Sequence, residues 1–95
     1  MRESKIETAV CNYAKSKGWL VYKFTSPSRR AVPDRIFLRG GVVFFIEFKA
    51  TGKELRKQQE KIREKFLSHG ISVYKVDDIN IGKKIIDNMG NEDVK

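Results

Sequence analysis

The chain has 95 residues, which is enough for one modest hydrophobic core but not for two. Its 20 Lys and Arg against 12 Asp and Glu give a formal net charge of +8, which favours a polyanionic partner, nucleic acid before an anionic membrane surface. No apolar run approaches the roughly 20 residues of a membrane-spanning helix, and the N-terminus MRESKIE has no signal-peptide core. We therefore expect a cytoplasmic protein without a membrane partner, with one domain over residues 1–90 and a frayed tail at 91–95.

Seven elements are predicted, in the order helix, three strands, helix, strand, helix. Helical spacing of apolar residues and a closing glycine predict helices over residues 3–17 and from 53 or 54 to 69, with a weaker helix at 79–89. Aromatic and β-branched runs predict strands over 19–25, 34–39, 42–49 and 71–76, and the Gly40-Gly41 pair joins the middle two as a hairpin. This order is typical of an α/β fold with a mixed sheet flanked by helices.

The hairpin brings two carboxylates together. A symmetrical turn at Gly40-Gly41 pairs residues equally distant from it, which places Asp34 opposite Glu47. Directly opposed side chains lie about 5 Å apart, and like charges there are destabilising unless something offsets them. Alternation along the strand puts Lys49 on the same face as Glu47. Two carboxylates and an ammonium therefore converge at one end of the hairpin.

Such a group has the chemistry of phosphodiester hydrolysis. Two carboxylates at this separation can share Mg²⁺ or Mn²⁺, which retains waters for a substrate phosphate. A neighbouring lysine can orient or deprotonate the attacking water, or stabilise charge developing on the phosphorane. The alternative is structural: Asp34 caps the strand entry after Pro33, and Glu47 and Lys49 form a solvated strand end. A bulge in the turn would also move one carboxylate to the other face.

The motif that these residues form resembles a nuclease signature. Pro33-Asp34, followed after the hairpin by Glu47-Phe48-Lys49, is similar to the PD-(D/E)xK pattern, and the compact layout resembles the VRR-NUC (virus-type replication-repair nuclease) family. The resemblance extends from RESKIE through VPDRIFL and FFIEFKATG to LRKQQEKIREKFLSHGISVYKV. It implies a compact αβββαβ(α) restriction-endonuclease-like core. It also implies an endonuclease dependent on Mg²⁺ or Mn²⁺, acting on branched DNA such as four-way junctions, in a bacterial cell or a phage-infected host.

The resemblance assigns a role to each residue of the motif. Asp34 and Glu47 correspond to metal ligands, together with the backbone carbonyl of Phe48, and Lys49 corresponds to the catalytic lysine. Glu3 matches the glutamate of the first helix, which approaches the metal directly or through water.

Glu7 is the alternative to Glu3. Ser4 and Glu7 have the spacing of a capping box, which would place Glu3 just outside the helix. Glu3 is favoured because only Glu3 has the family's spacing to Ile6.

The family's second-helix glutamine falls on Gln58 or Gln59. Helical geometry leaves both near the apolar stripe of that helix, and the family's spacing to the closing Gly70 favours Gln59.

One departure from the family's pattern concerns Ala31, two residues before Pro33, where the family usually has glycine. Alanine lacks the freedom of glycine at positive φ, so we expect the loop to enter the strand differently.

Basic residues surround the predicted site and could hold a phosphate backbone without reading sequence. A domain of this size can cover one scissile phosphate, so cutting both strands favours a homodimer, which the resemblance also implies. Two other functions stay open: a non-catalytic nucleic-acid-binding module on a nuclease scaffold, and a nuclease subunit that needs a partner protein. The predicted DNA contacts are Arg29, Arg30, Arg35, Lys53, Arg56 and Lys57.

Overall fold

The computed structural model describes residues 1–27 and 31–92. A four-stranded mixed sheet has the order β1-β2-β3-β4, with β1 to β3 antiparallel and β4 parallel to β3. Three helices flank it, which confirms the predicted α/β fold and element order. The strands are β1 (Leu20–Lys23), β2 (Arg35–Arg39), β3 (Val42–Phe48) and β4 (Ser72–Val76), and the helices are α1 (Glu3–Ser16), α2 (Lys57–Ser68) and α3 (Ile79–Glu92).

The hairpin of β2 and β3 has the predicted register. Its ladder runs from Arg35 opposite Ile46 to Arg39 opposite Val42 without a bulge. Gly40 and Gly41 have φ of 54° and 84°, the positive values that a tight hairpin turn requires at both central residues. One residue beyond this ladder, Asp34 donates its N–H to the Ile46 carbonyl at 3.2 Å, so Asp34 enters β2 opposite the end of β3.

The core lies between one face of the sheet and the helices α1 and α3. Phe37, Phe44, Ile46 and Phe48 point to this face and are fully buried. The two helices approach closely at Gly82, where a Cβ atom would lie 2.5 Å from the Val10 side chain. Helix α2 packs on the opposite face, against β4 and Phe45.

The helix boundaries differ from the prediction at three points. Helix α1 is N-capped by Arg2 without a side-chain cap, so the Ser4 capping box was wrong and Glu3 lies in the first turn. Helix α2 begins at 57 rather than 53 or 54, because residues 50–53 form a turn in which Gly52 has a φ of 82°. Helix α3 continues to 92 rather than 89, so residues 91–92 belong to it, and 93–95 lie outside the described residues.

Ala31 departs from the family pattern without backbone strain. No non-glycine residue in the described ranges has positive φ, so Ala31 adopts an ordinary conformation where the family has glycine.

None of the described helices combines the length and the apolar character that crossing a bilayer requires.

Candidate active site

Two carboxylates meet where β2 begins and β3 ends. Asp34 is held by the N–H of Phe48, which donates to its Oδ2 at 2.8 Å across the hairpin. Glu47 is 6% exposed. Burial raises the pKa of Glu47 to about 7, and the charge of Asp34 adds to this effect. Burial likewise raises the pKa of Asp34, against the lowering influence of the Phe48 N–H. The pair therefore resists carrying two negative charges without a compensating cation.

Gln59 connects α2 to this pair. Its Oε1 accepts the N–H of Arg56, the N-cap of α2, at 2.8 Å, and its Nε2 donates to Glu47 Oε2, also at 2.8 Å. The orientation of the amide follows from its partners, because a backbone N–H needs an acceptor and a carboxylate needs a donor. Gln59 is 7% exposed, whereas Gln58 is exposed. The structure thus brings Gln59, the favoured of the two, to the carboxylates.

The two oxygens of Glu47 have different surroundings. Oε2 accepts from Gln59 and lies 4.0 Å from the Lys49 ammonium. Oε1 is buried and has no hydrogen-bond partner in the described part of the chain. A buried carboxylate oxygen without a donor is costly, and a cation would satisfy it.

The donor set fits a hard divalent cation. Mg²⁺ is commonly bound in proteins through one or two carboxylates, with water and substrate oxygens completing the shell. Asp34 and Glu47 supply those carboxylates. The side chains of residues 1–27 and 31–90 include no group of three or more His, Cys, Asp or Glu arranged to bind a metal, so no third acidic ligand joins the pair there.

Glu3 and Glu7 have different surroundings in the structure. Glu7 accepts from Arg35 Nε at 2.6 Å, so it is engaged in an ion pair between α1 and β2. Glu3 is exposed in the first turn of α1, and its charge raises the pKa values of both Asp34 and Glu47. Glu3 therefore lies within electrostatic range of the pair without joining it as a direct third ligand in this structure.

Two lysines lie beside Glu47, and only Lys49 could be predicted from the sequence. Lys49 is half-buried next to Glu47 Oε2, on the predicted face. Lys75 is the partner of Glu47 across β3 and β4, but its ammonium is bound by Glu54 at 3.1 Å and Asp77 at 3.4 Å. The sequence carried no signal for Lys75, because the register of a parallel pair is set by packing rather than by a turn.

The predicted DNA contacts divide into three groups. Arg29 and Arg30 lie outside the described residues. Lys53, Arg56 and Lys57 are exposed around the start of α2, and the charge of Arg56 lowers the pKa of Glu47. The structure does not bring Arg35 to the other basic residues: its guanidinium points towards α1, where it is paired with Glu7.

Known proteins are similar to this chain in sequence and in fold. The chain is 36% identical over 78 residues to "Putative nuclease p44" of Acyrthosiphon pisum secondary endosymbiont phage 1, over 81% of this chain and 84% of that protein. Its structure matches a solved "VRR_NUC domain" with a TM-score of 0.82 and 25% identity, over 90% of this chain and 94% of that one. This chain belongs to the VRR-NUC family of nucleases.

Family membership agrees with the chemistry of the site. Nucleases of the VRR-NUC fold usually require a divalent metal, and the buried carboxylate pair supplies oxygen ligands of the kind that such metals prefer. A scan against protein-family models finds no match for this VRR-NUC chain.

Proposed function

We propose that this VRR-NUC protein is an endonuclease that uses Mg²⁺ or Mn²⁺ to hydrolyse DNA phosphodiester bonds. In this proposal the protein acts in the cytoplasm as a homodimer, and its substrate is branched DNA such as four-way junctions. The observation that supports metal dependence best is Glu47. Its Oε1 is buried without a partner, and its pKa is raised by burial and by Asp34. A buried carboxylate without a partner destabilises the folded chain unless a cation binds beside it.

Each residue of the site has a role in this proposal. Asp34, Glu47 and the Phe48 carbonyl would hold the metal. When bound, the metal would polarise a phosphate oxygen and make a bound water more acidic. Lys49 orients the attacking water or stabilises the charge that develops on the phosphoryl oxygens. Gln59 holds Glu47 Oε2, which leaves Oε1 for the metal. Glu3 acts through water.

The basic surface supports a nucleic-acid substrate. The net charge of +8 attracts a phosphate backbone, and the exposed Lys53, Arg56 and Lys57 lie around the end of α2 that Gln59 joins to the site. Arg29 and Arg30, which precede Asp34 in the sequence, are proposed to add to this surface. One site per chain serves one scissile phosphate, so two-fold symmetry suits a junction that must be cut on two strands.

A cleavage assay tests the proposal. Linear, flap and four-way-junction DNA, and a matched RNA duplex, are incubated with Mg²⁺, Mn²⁺ or EDTA. The assay compares the wild type with Asp34→Asn and with Gln58→Ala, an exposed control next to Gln59. We expect cleavage of junctions that needs metal, is lost in Asp34→Asn and is retained in Gln58→Ala.

Other outcomes would redirect the assignment. Equal cutting by Asp34→Asn would show that the carboxylate pair is not the site. Binding without cleavage, with a steep dependence on salt, would favour the non-catalytic module. Faster cutting of RNA than of DNA would refute the deoxyribonuclease assignment, and equal cutting of linear and branched DNA would refute junction specificity.

A further inference from the structure

Lys75 extends the row of site residues across the sheet. Asp34 enters β2 opposite the end of β3, and Lys75 of β4 is paired in register with Glu47. Residues paired in register point to the same face of a sheet, so Asp34, Glu47 and Lys75 form one row across three strands. Neighbouring strands are about 4.8 Å apart. Lys75 therefore lies one strand beyond the two carboxylates, on the β4 side of the site.

Two carboxylates of unequal exposure hold the Lys75 ammonium. Glu54 Oε1 lies 3.1 Å from Lys75 Nζ, and the Glu54 side chain is 84% exposed. Asp77 Oδ2 lies 3.4 Å from the same ammonium, is mostly buried and also accepts the Gly52 N–H at 3.0 Å. An exposed ion pair contributes little to stability, because water competes for both charges and the long side chains lose entropy. A ligand can therefore displace Glu54, whereas Asp77 is fixed by the backbone.

Glu54 stands within a basic segment. It is the one acidic residue of the segment 53–57, in which Lys53, Arg56 and Lys57 are exposed and are the proposed DNA contacts beside the site. A phosphate that is attracted to these cations approaches an exposed carboxylate of its own sign. The repulsion is relieved when the phosphate replaces Glu54 on Lys75. An ammonium has three donors, so Lys75 can keep Asp77 while it exchanges Glu54 for a phosphate oxygen.

We propose that Lys75 binds the DNA phosphate next to the scissile one, and that Glu54 occupies the Lys75 ammonium until DNA binds. This role rests on the nuclease of the proposed function and adds a substrate contact to it. The Lys49 ammonium lies 4.0 Å from Glu47 Oε2, so Lys49 serves the scissile phosphate. The Lys75 ammonium is held one strand away, where a flanking phosphate of the same DNA strand passes.

A binding measurement tests this contact. Every protein carries Asp34→Asn and the buffer contains EDTA, so that no DNA is cut while the fluorescence anisotropy of labelled duplex and four-way-junction DNA is recorded over a range of salt concentrations. The variants are Lys75→Met, Lys75→Arg, Glu54→Gln and the combination of Lys75→Met with Glu54→Gln. The control is Glu60→Gln, which removes an exposed negative charge from the first turn of α2, outside the Lys75 ion pairs.

The two charges are expected to act in opposite directions. Lys75→Met should raise the dissociation constant about 10-fold and reduce the slope of log Kd against log salt by about 1, the loss of one phosphate contact. Lys75→Arg keeps the charge and should keep the slope. Glu54→Gln should lower the dissociation constant by about 2- to 5-fold, because the phosphate no longer displaces a charged partner. In the Lys75→Met background, Glu54→Gln should have no more effect than Glu60→Gln, because Glu54 acts through Lys75.

Three results would overturn the inference. The first is an unchanged affinity and salt slope in Lys75→Met, which would limit the ion pairs to holding the turn at Gly52. The second is equal tightening by Glu54→Gln and Glu60→Gln, and the third is tightening by Glu54→Gln that persists in full without Lys75. Circular dichroism checks that each variant is folded. Glu54→Gln alters an exposed side chain, so its comparison with Glu60→Gln decides the question even if Lys75→Met does not fold.

Binding and cleavage together distinguish this contact from the nuclease itself. Cleavage by the chain that retains Asp34, with an unchanged salt slope in Lys75→Met, would overturn the contact and leave the nuclease standing. DNA binding that depends on Lys75 in a chain that cuts no DNA would refute the nuclease and support the phosphate contact. A chain that neither binds nor cuts DNA would refute both.

Discussion

The side-chain amide of Gln59 donates to Glu47 Oε2 at 2.8 Å and is oriented by the Arg56 N–H, which it accepts on its other side. One glutamine therefore caps the start of α2 and fixes the buried carboxylate of β3. Because both contacts use the same amide, the position of α2 and the geometry of Glu47 are coupled.

Substitution of Gln59 is expected to affect stability and activity together. Gln59→Ala removes an N-terminal cap and leaves Glu47 Oε2 without its amide donor, so we expect the free energy of unfolding to fall by about 1–2 kcal/mol. Loss of a residue that orients a ligand lowers activity by about 10- to 100-fold. Urea denaturation and junction cleavage measure the two effects. Gln58→Ala, which is exposed, should change neither; an equal loss in both variants would mean that the contact has no special role.

The raised pKa of Glu47 predicts a pH dependence of stability in the metal-free protein. Its pKa is about 7 in the folded state against 4.5 as the ordinary value. Between these values the folded state keeps a proton that the unfolded state releases, so this contribution to stability declines as pH rises from about 4.5 to 7 and is absent above that range.

Glu47→Gln should remove that dependence. Urea unfolding in EDTA at pH 5 and pH 8 measures it, and we expect the variant to be more stable than wild type at pH 8, with a smaller difference at pH 5. A difference that is constant across this range would contradict the assigned pKa.

Substitutions of Lys49 and Asp34 are expected to separate the effect on catalysis from the effect on metal binding. Metal that binds the folded state raises its melting temperature by mass action. Lys49→Ala keeps both carboxylates, so we expect Mn²⁺ to raise its melting temperature while the cleavage rate falls by about 10²-fold or more. In Asp34→Asn both the thermal shift and cleavage should be lost. Retention of a full thermal shift in Asp34→Asn would place the metal elsewhere.

Substitutions of Glu3 and Glu7 are expected to have different effects, one on cleavage and the other on stability. Glu7→Gln weakens the ion pair with Arg35, which is partly exposed, so we expect a loss of about 1 kcal/mol in unfolding free energy or less. Glu3→Gln should leave stability unchanged and reduce cleavage, because Glu3 is exposed and acts on the site through its charge and through water. Thermal unfolding and junction cleavage of both variants provide the comparison. Unchanged cleavage in Glu3→Gln would remove it from the site.

The local parts of the site follow directly from the sequence. Gly40-Gly41 sets a two-residue turn, and a turn of known length fixes the register of its strands. The position of Asp34 opposite the end of β3, and of Lys49 beside Glu47, could therefore be predicted by counting. The limits of α2 could not, because the basic run from residue 53 has helical propensity, while the turn at Gly52 and the cap from Gln59 decide where the helix begins.

By itself, the sequence determined the element order, the hairpin register and the convergence of two carboxylates with a lysine, since all three depend on contacts between residues near in the chain. Only the tertiary structure showed that Gln59 rather than Gln58 contacts Glu47, that Glu7 pairs with Arg35 and that Lys75 lies opposite Glu47. These features depend on how α1, α2 and β4 pack against the hairpin, and such long-range packing is set by the complementarity of whole faces rather than by any local pattern.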